Sequence, residues 1–169
     1  ENILAGQMLT DQERMKREST IADEYLGDVM LARGDTEAAL LNYQLGLEKT
    51  RSLGRASDVE GEMLRRCAEA RRRSGDLAQA VADAHAAVAV CENCGEDYEL
   101  GFCHLTLGEA YAASQDWPQA DAHFRRAVEI FQSQNLLREW CEAVCAFLDA
   151  RLSSADKPVL LLLRRLLLD

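Results

Sequence analysis

Proline is nearly missing from this chain, with two among 169 residues, and aromatic residues make up only 6%. That poverty argues against many short strands, and the abundance of Ala, Leu, Glu and Arg favours long helices. A basic excess is also missing. Nineteen Lys and Arg face 29 Asp and Glu, for a formal net charge of −10. Direct nucleic-acid binding, which needs a phosphate-neutralising basic face, is therefore not expected. No apolar run reaches membrane-spanning length. The most apolar stretch, residues 159–168, is interrupted by Arg164 and Arg165, against roughly 20 residues needed to span, so no membrane partner is expected. The sequence opens on Glu1 without a charged-then-apolar leader. It reads as a piece of a longer protein. Six cysteines do not imply a disulfide scaffold, because a helical core of this size needs no bridges. They read as reduced thiols of a cytoplasmic protein.

What is present is a repeat of about forty residues. Asp35, Asp76, Asp116 and Asp156 are spaced by 41, 40 and 40 residues. The first three follow Gly34, Gly75 and Gln115, and Ala39, Ala80 and Ala120 come four residues later. An aspartate at a helix start accepts hydrogen bonds from unpaired backbone N–H groups. Pro118 and Pro158 stand two residues after their aspartates, in the first turn, where a missing N–H costs nothing. Gly54, Gly95 and Asn135 recur at matching positions and suit the left-handed conformation that closes a helix. Each unit thus reads as helix, turn with N-cap, helix, C-cap.

The pairs Leu26-Gly27, Cys67-Ala68, Leu107-Gly108 and Phe147-Leu148 align in the first helices. Tyr43, Ala84 and Phe124 align in the second helices, each followed three residues later by Gly46, Ala87 or Ala127. Large and small residues at this spacing make one packing face. First helices are predicted near 13–32, 57–73, 96–113 and 136–152, and second helices near 36–53, 77–93, 117–134 and 157–168. The units run 13–54, 55–95, 96–135 and 136–169, the last degenerate, with residues 1–12 as the tail of a truncated repeat, of which 1–9 fit an earlier second helix.

This pattern resembles the tetratricopeptide repeat. The resemblance is carried by Leu26, Gly27, Ala39, Tyr43 and Gly46; by Ala68, Ala80 and Ala87; and by Leu107, Gly108, Tyr111, Ala120, Phe124 and Ala127. The period exceeds the usual ~34 residues, which is similar to a subset with longer helices. The resemblance implies an all-α, right-handed superhelical solenoid of antiparallel helix pairs. It also implies a concave face, lined by first helices, that binds peptides or partner proteins. Residues 58–69 and 95–101 look like segments of the repeat regions of bacterial sigma-54-dependent transcriptional regulators. No GxxxxGK[ST] loop or helix-turn-helix signature accompanies them.

If that geometry holds, the concave face carries Glu24, Asp28, Leu31, Arg65, Glu69, Arg72, Phe102, Leu105, Glu109, Glu142 and Asp149. Asp28, Glu69, Glu109 and Asp149 occupy the same register in all four units. Two readings stay open. The carboxylates form a ladder that attracts a basic peptide, or they are a solvated surface preference of the repeat. Arg65, Arg66 and Arg71 to Arg73 form a basic patch on one helix, which also complements the helix dipole. Leu160, Leu163 and Leu167 lie on a terminal segment that is apolar nearly all round, which suggests burial against another copy, a swapped neighbour or a following domain.

Catalytic chemistry finds no foothold. No Ser-His-Asp set, HExxH or phosphate loop is present, so neither enzyme activity nor a cofactor is expected. Cys91, Cys94, Cys103 and His104 form the one metal-like cluster. A metal or redox sensor built on them is the rival reading, set against the ordinary role of Cys as a small core residue. Cys141 and Cys145, four apart, read as a packing stripe, and His85 and His123 as polar positions of second helices. The function that results is a non-catalytic protein-interaction module of a bacterial regulator, with a structural oligomerisation element as a further alternative.

Overall fold

The computed structural model describes residues 11–52 and 58–153, and within them every regular element is a helix. Seven helices follow in order: α1 (Asp11–Ala32), α2 (Thr36–Arg51), α3 (Asp58–Ser74), α4 (Leu77–Cys94), α5 (Asp97–Ala113), α6 (Trp117–Ser133) and α7 (Leu137–Ser153). These bounds agree with the sequence expectation within two residues. Asp11 and Gln12, expected in the tail of a truncated repeat, belong to α1. The segment predicted at 157–168, with Leu160, Leu163 and Leu167, lies outside the described residues.

The turns follow from the recurring residues. Asp35, Asp76 and Asp116 each accept a backbone N–H bond three residues on, from Ala38 at 3.0 Å and from Gln79 and Gln119 at 3.4 Å. The residue before each cap is left-handed, with φ of 83° at Gly34, 91° at Gly75 and 63° at Gln115. Glycine enters that region without the Cβ penalty that Gln115 bears.

Packing explains the large-small register. Tyr43 of α2 and Phe124 of α6 are fully buried because α1 and α5 offer glycine opposite them. A Cβ on Gly27 would come within 2.3 Å of the Tyr43 ring, and one on Gly108 within 3.0 Å of the Phe124 ring. In the middle unit both partners are small, Ala68 and Ala84, and both are buried. Burying one such ring contributes roughly 1.5–3 kcal/mol, so the glycines support the helix pairs despite their low helix propensity.

Consecutive helices pack antiparallel, and the first helices also touch along the stack, α3 on α5 and α5 on α7. The core is correspondingly linear. Ala39 and Tyr43 meet Cys67 and Ala70; Ala68 and Ala84 meet Leu107; Leu47 and Met63 meet Cys91 and Cys103; Phe124 and Phe131 meet Ala143. Each cluster joins one helix pair to the next, as a solenoid requires. At α1 the stack is open: Tyr25, Leu26 and Val29 are exposed, whereas Cys67 and Ala70, one repeat on, are buried.

Candidate functional site

Between α5 and α7 lies a groove of about 820 Å³, within the range that accommodates a ligand. Its walls carry Glu109 from α5, Glu142, Cys145 and Asp149 from α7, Trp117 from the start of α6 and Arg72 from the end of α3. Four residues expected on the concave face, Arg72, Glu109, Glu142 and Asp149, therefore come together. The α7 contributors fall at i, i+3 and i+7, one face of a helix. Cys145 sits on that face between the two predicted carboxylates, so helical spacing could have found it. Trp117 carried no such signal. Its place is fixed by the Asp116 cap and by Arg151, whose guanidinium lies 4.6 Å from the Trp117 ring centroid.

Charge in the groove is unbalanced. Arg72 makes two hydrogen bonds to Glu69, at 2.8 and 2.9 Å, and reaches Glu109 only at 3.6 Å. Arg73 binds the same Glu69 at 2.5 Å. Glu69 is thus occupied by Arg72 and Arg73. Glu142 and Asp149 are exposed and form no ion pair among the described residues. Burial pushes the Glu109 carboxyl above the ordinary carboxylate range, with Arg72 pulling the other way. A second cation placed near Glu109, Glu142 and Asp149 would relieve that imbalance.

The remaining expected residues form no part of this groove. Leu105 is 7% exposed and packs with Phe124 and Phe131; the expectation of an open apolar contact there is corrected by its place in the core. Glu24 and Asp28 both hold Arg66, at 2.6 and 2.5 Å, and Tyr43 donates its hydroxyl to Asp28 at 2.7 Å. The ladder at α1 is therefore satisfied internally. Arg65 pairs with the buried Glu99 and covers the Phe102 ring at 5.5 Å. Leu31 packs against the Ala39 and Tyr43 cluster.

The cysteine cluster comes apart. Cys91 and Cys103 meet at 3.7 Å in the core, with neither in a disulfide. His104, one residue beyond Cys103, turns the other way, and its Nδ1 lies 3.0 Å from Nδ1 of His123. The four groups do not converge, because consecutive residues of a helix point about 100° apart. The hydrogen bond with the Cys91 thiol, and then burial, push the Cys103 thiol far up, so it is a poor nucleophile. Cys141 and Cys145, expected to pack, are exposed on α7. Among the described residues, no three His, Cys, Asp or Glu side chains stand ready as metal ligands, and no helix is long and apolar enough to cross a membrane.

Sequence reasoning missed one assembly. His85 on α4, His104 on α5 and His123 on α6 lie together. Tyr111 is stacked on His123 at 5.6 Å, and its hydroxyl is 2.7 Å from His85 Nε2. Register was the available signal, since α4, α5 and α6 were already expected to be neighbours.

Comparison with known proteins bears on the helical-repeat fold. Residues 60–133 match the family model described as "Tetratricopeptide repeat". No curated protein matches the chain. Among solved structures, the N-terminal domain of stress-induced protein-1 (STI-1) from C. elegans is similar, with a TM-score of 0.56 at 19% identity, covering 76% of this chain and 96% of that one. At that identity the likeness shows the fold alone. The matched segment takes in nearly all of α3 and the whole of α4, α5 and α6, so the similarity to tetratricopeptide repeats is carried by these four helices.

Proposed function

We propose that this chain is a non-catalytic interaction module whose α5–α7 groove docks a Lys- or Arg-bearing segment of a partner protein. The observation that carries the reading is the placement of Glu109, Glu142 and Asp149 around one groove whose lone arginine is already engaged by Glu69. Complementary charge steers encounter and sets the sign of the partner, while Trp117 and the Ala112, Ala146 and Ala150 methyls give the ligand's aliphatic stem an apolar floor. Units 13–54, 55–95, 96–135 and 136–169 are the proposed repeats. A setting within a cytoplasmic bacterial transcriptional regulator rests on the resemblance of residues 58–69 and 95–101. Self-association through Leu160, Leu163 and Leu167 is a separate element of the proposal, testable by sedimentation without residues 157–169.

Fluorescence anisotropy tests the docking reading. A labelled 12-residue peptide with four Lys or Arg is titrated with the chain, alongside a composition-matched peptide carrying Glu instead. Binding of the basic peptide alone is expected, weakening with salt. The double variant Glu142→Lys, Asp149→Lys lowers affinity by about 10-fold or more, on the basis of about 1.4 kcal/mol per factor of ten. Equal binding of both peptides, or a double variant that binds as well as the parent, overturns the proposal.

A further inference from the structure

The helix pairs are not held together alike. In the α3–α4 pair, Arg71 binds Asp83 across the two helices. Forty residues on, in the α5–α6 pair, the same two positions hold Tyr111 and His123, stacked at 5.6 Å between centroids. Leu64 of α3 is likewise replaced by His104 of α5, which is only 8% exposed. An Arg–Asp pair keeps both charges between about pH 5 and pH 8. The contacts that stand in its place do not, because histidine changes charge in that range.

The third histidine joins them from α4. His85 lies 5.9 Å from His123 between centroids, and its Nε2 is 2.7 Å from the Tyr111 hydroxyl. The His104 and His123 rings lie 5.3 Å apart, with their Nδ1 atoms facing each other at 3.0 Å. One Nδ1 donates and the other accepts, so the bond needs at least one neutral ring. With both rings protonated, N–H faces N–H and the bond is gone. Other groups offer no relief. Beside His85 from α4 and the Tyr111 phenol from α5, α6 contributes the Arg126 guanidinium, a further cation. Among the described residues, no carboxylate acts on either ring.

We propose that His85, His104 and His123 form an acid-responsive latch: uncharged, they hold α4, α5 and α6 together, and proton uptake loosens that junction while the α1–α2 pair stays closed.

The proton affinities have the matching sign. Burial first, then His123, Arg126 and His85, hold His104 at about 4, below the ordinary 6.5, and burial with His85 lowers His123. The unfolded segment therefore binds more protons in acid than the folded one. The stability contributed by the neutral rings is complete above about pH 6.5 and is lost as pH falls towards 4. Glu24, Glu99 and Glu109 are raised instead, so their titration acts with the opposite sign and does not produce this loss. In a linear stack such a loss stays local. The latch shares no residue with the α5–α7 groove, and the proposal does not depend on peptide docking.

Amide hydrogen exchange of the full chain at pH 7 and pH 5, corrected for intrinsic rates, provides the test. With His104 at about 4 folded and 6.5 unfolded, linkage predicts that protection in α4–α6 falls by about 20-fold, with protection in α1 and α2 unchanged. His104→Leu places the residue of the preceding pair at this position and should hold the fall below about fivefold. Should that variant fail to fold, the imidazole 15N resonances of the unaltered chain, followed from pH 8 to pH 4, decide the matter. His104 and His123 should both titrate below the ordinary histidine value, His104 last. A loss of protection spread evenly over all helices, an equal loss in His104→Leu, or His104 and His123 titrating like free histidine overturns the proposal.

Discussion

Replacing Arg66 by Met is expected to cost about 1.5–3 kcal/mol at pH 7.5, less than the loss of one partner from a fully buried ion pair because the Arg66 side chain is 21% exposed. The guanidinium of Arg66 binds Glu24 at 2.6 Å, Asp28 at 2.5 Å and Glu62 at 3.2 Å, with Glu24 only 9% exposed. Each contact at an effective dielectric near 20 corresponds to about 4 kcal/mol of Coulomb energy before desolvation is subtracted. Methionine keeps the stem's packing and leaves three carboxylates facing one another. The variant's escape is to protonate one of them, and Glu24 is the candidate. Burial already raises its pKa above 4.5, with Arg66 the main opposing influence and Glu62 and Asp28 adding to the rise. Removing Arg66 lifts it further. A carboxyl whose folded pKa lies above its unfolded value contributes stability that is fully present below the unfolded pKa. That contribution is lost as pH rises through the folded pKa. The deficit of Arg66→Met should therefore shrink by more than 1 kcal/mol between pH 7.5 and pH 5. Adding Glu24→Gln should recover much of it at pH 7.5. Urea unfolding followed by circular dichroism at both pH values measures this. A deficit below 1 kcal/mol, or one equal at the two pH values, would refute the reasoning.

Phe124→Ala should destabilise the chain by about 3–5 kcal/mol in the same assay, because the ring is fully buried, stacked on Phe147 at 5.1 Å and seated over Gly108. Leu41→Ala, at a site 59% exposed, should change stability by less than about 0.5 kcal/mol; comparable losses at the two sites would contradict the assigned core. Affinity for a basic peptide should rise with pH as Glu109 ionises, through a pKa above 4.5, since only the carboxylate attracts the cation. Anisotropy across pH 4–8 should show Glu109→Gln losing that part of the rise, and an unchanged profile would remove Glu109 from the groove.

The helices were legible because the turns before α2, α4 and α6 are each written by a residue with a backbone task. The caps at Asp35, Asp76 and Asp116 and the glycines under Tyr43 and Phe124 recur at a fixed period, so one reading served every unit. The site was less legible. Glu24, Asp28, Glu69, Glu109 and Asp149 look alike in sequence; Glu69 is held by Arg72 and Arg73 of its own helix, at i+3 and i+4, but only tertiary contacts show that Arg66 occupies Glu24 and Asp28. Leu105 was misplaced because α5 is apolar on most sides. It is buried between neighbouring units, and its sequence marks no outer face. The histidines were overlooked for a related reason: they lie on three helices, and no spacing within one helix connects them.

The most direct test of the docking account is a titration of the isotopically labelled chain with the basic peptide, followed by amide chemical shifts. The account predicts saturable shifts confined to Glu109, Trp117 and the Glu142–Asp149 face of α7, with α2 and α4 unchanged. Shifts centred on the outer surfaces of α2 and α4, or none at all at saturating peptide, would contradict it.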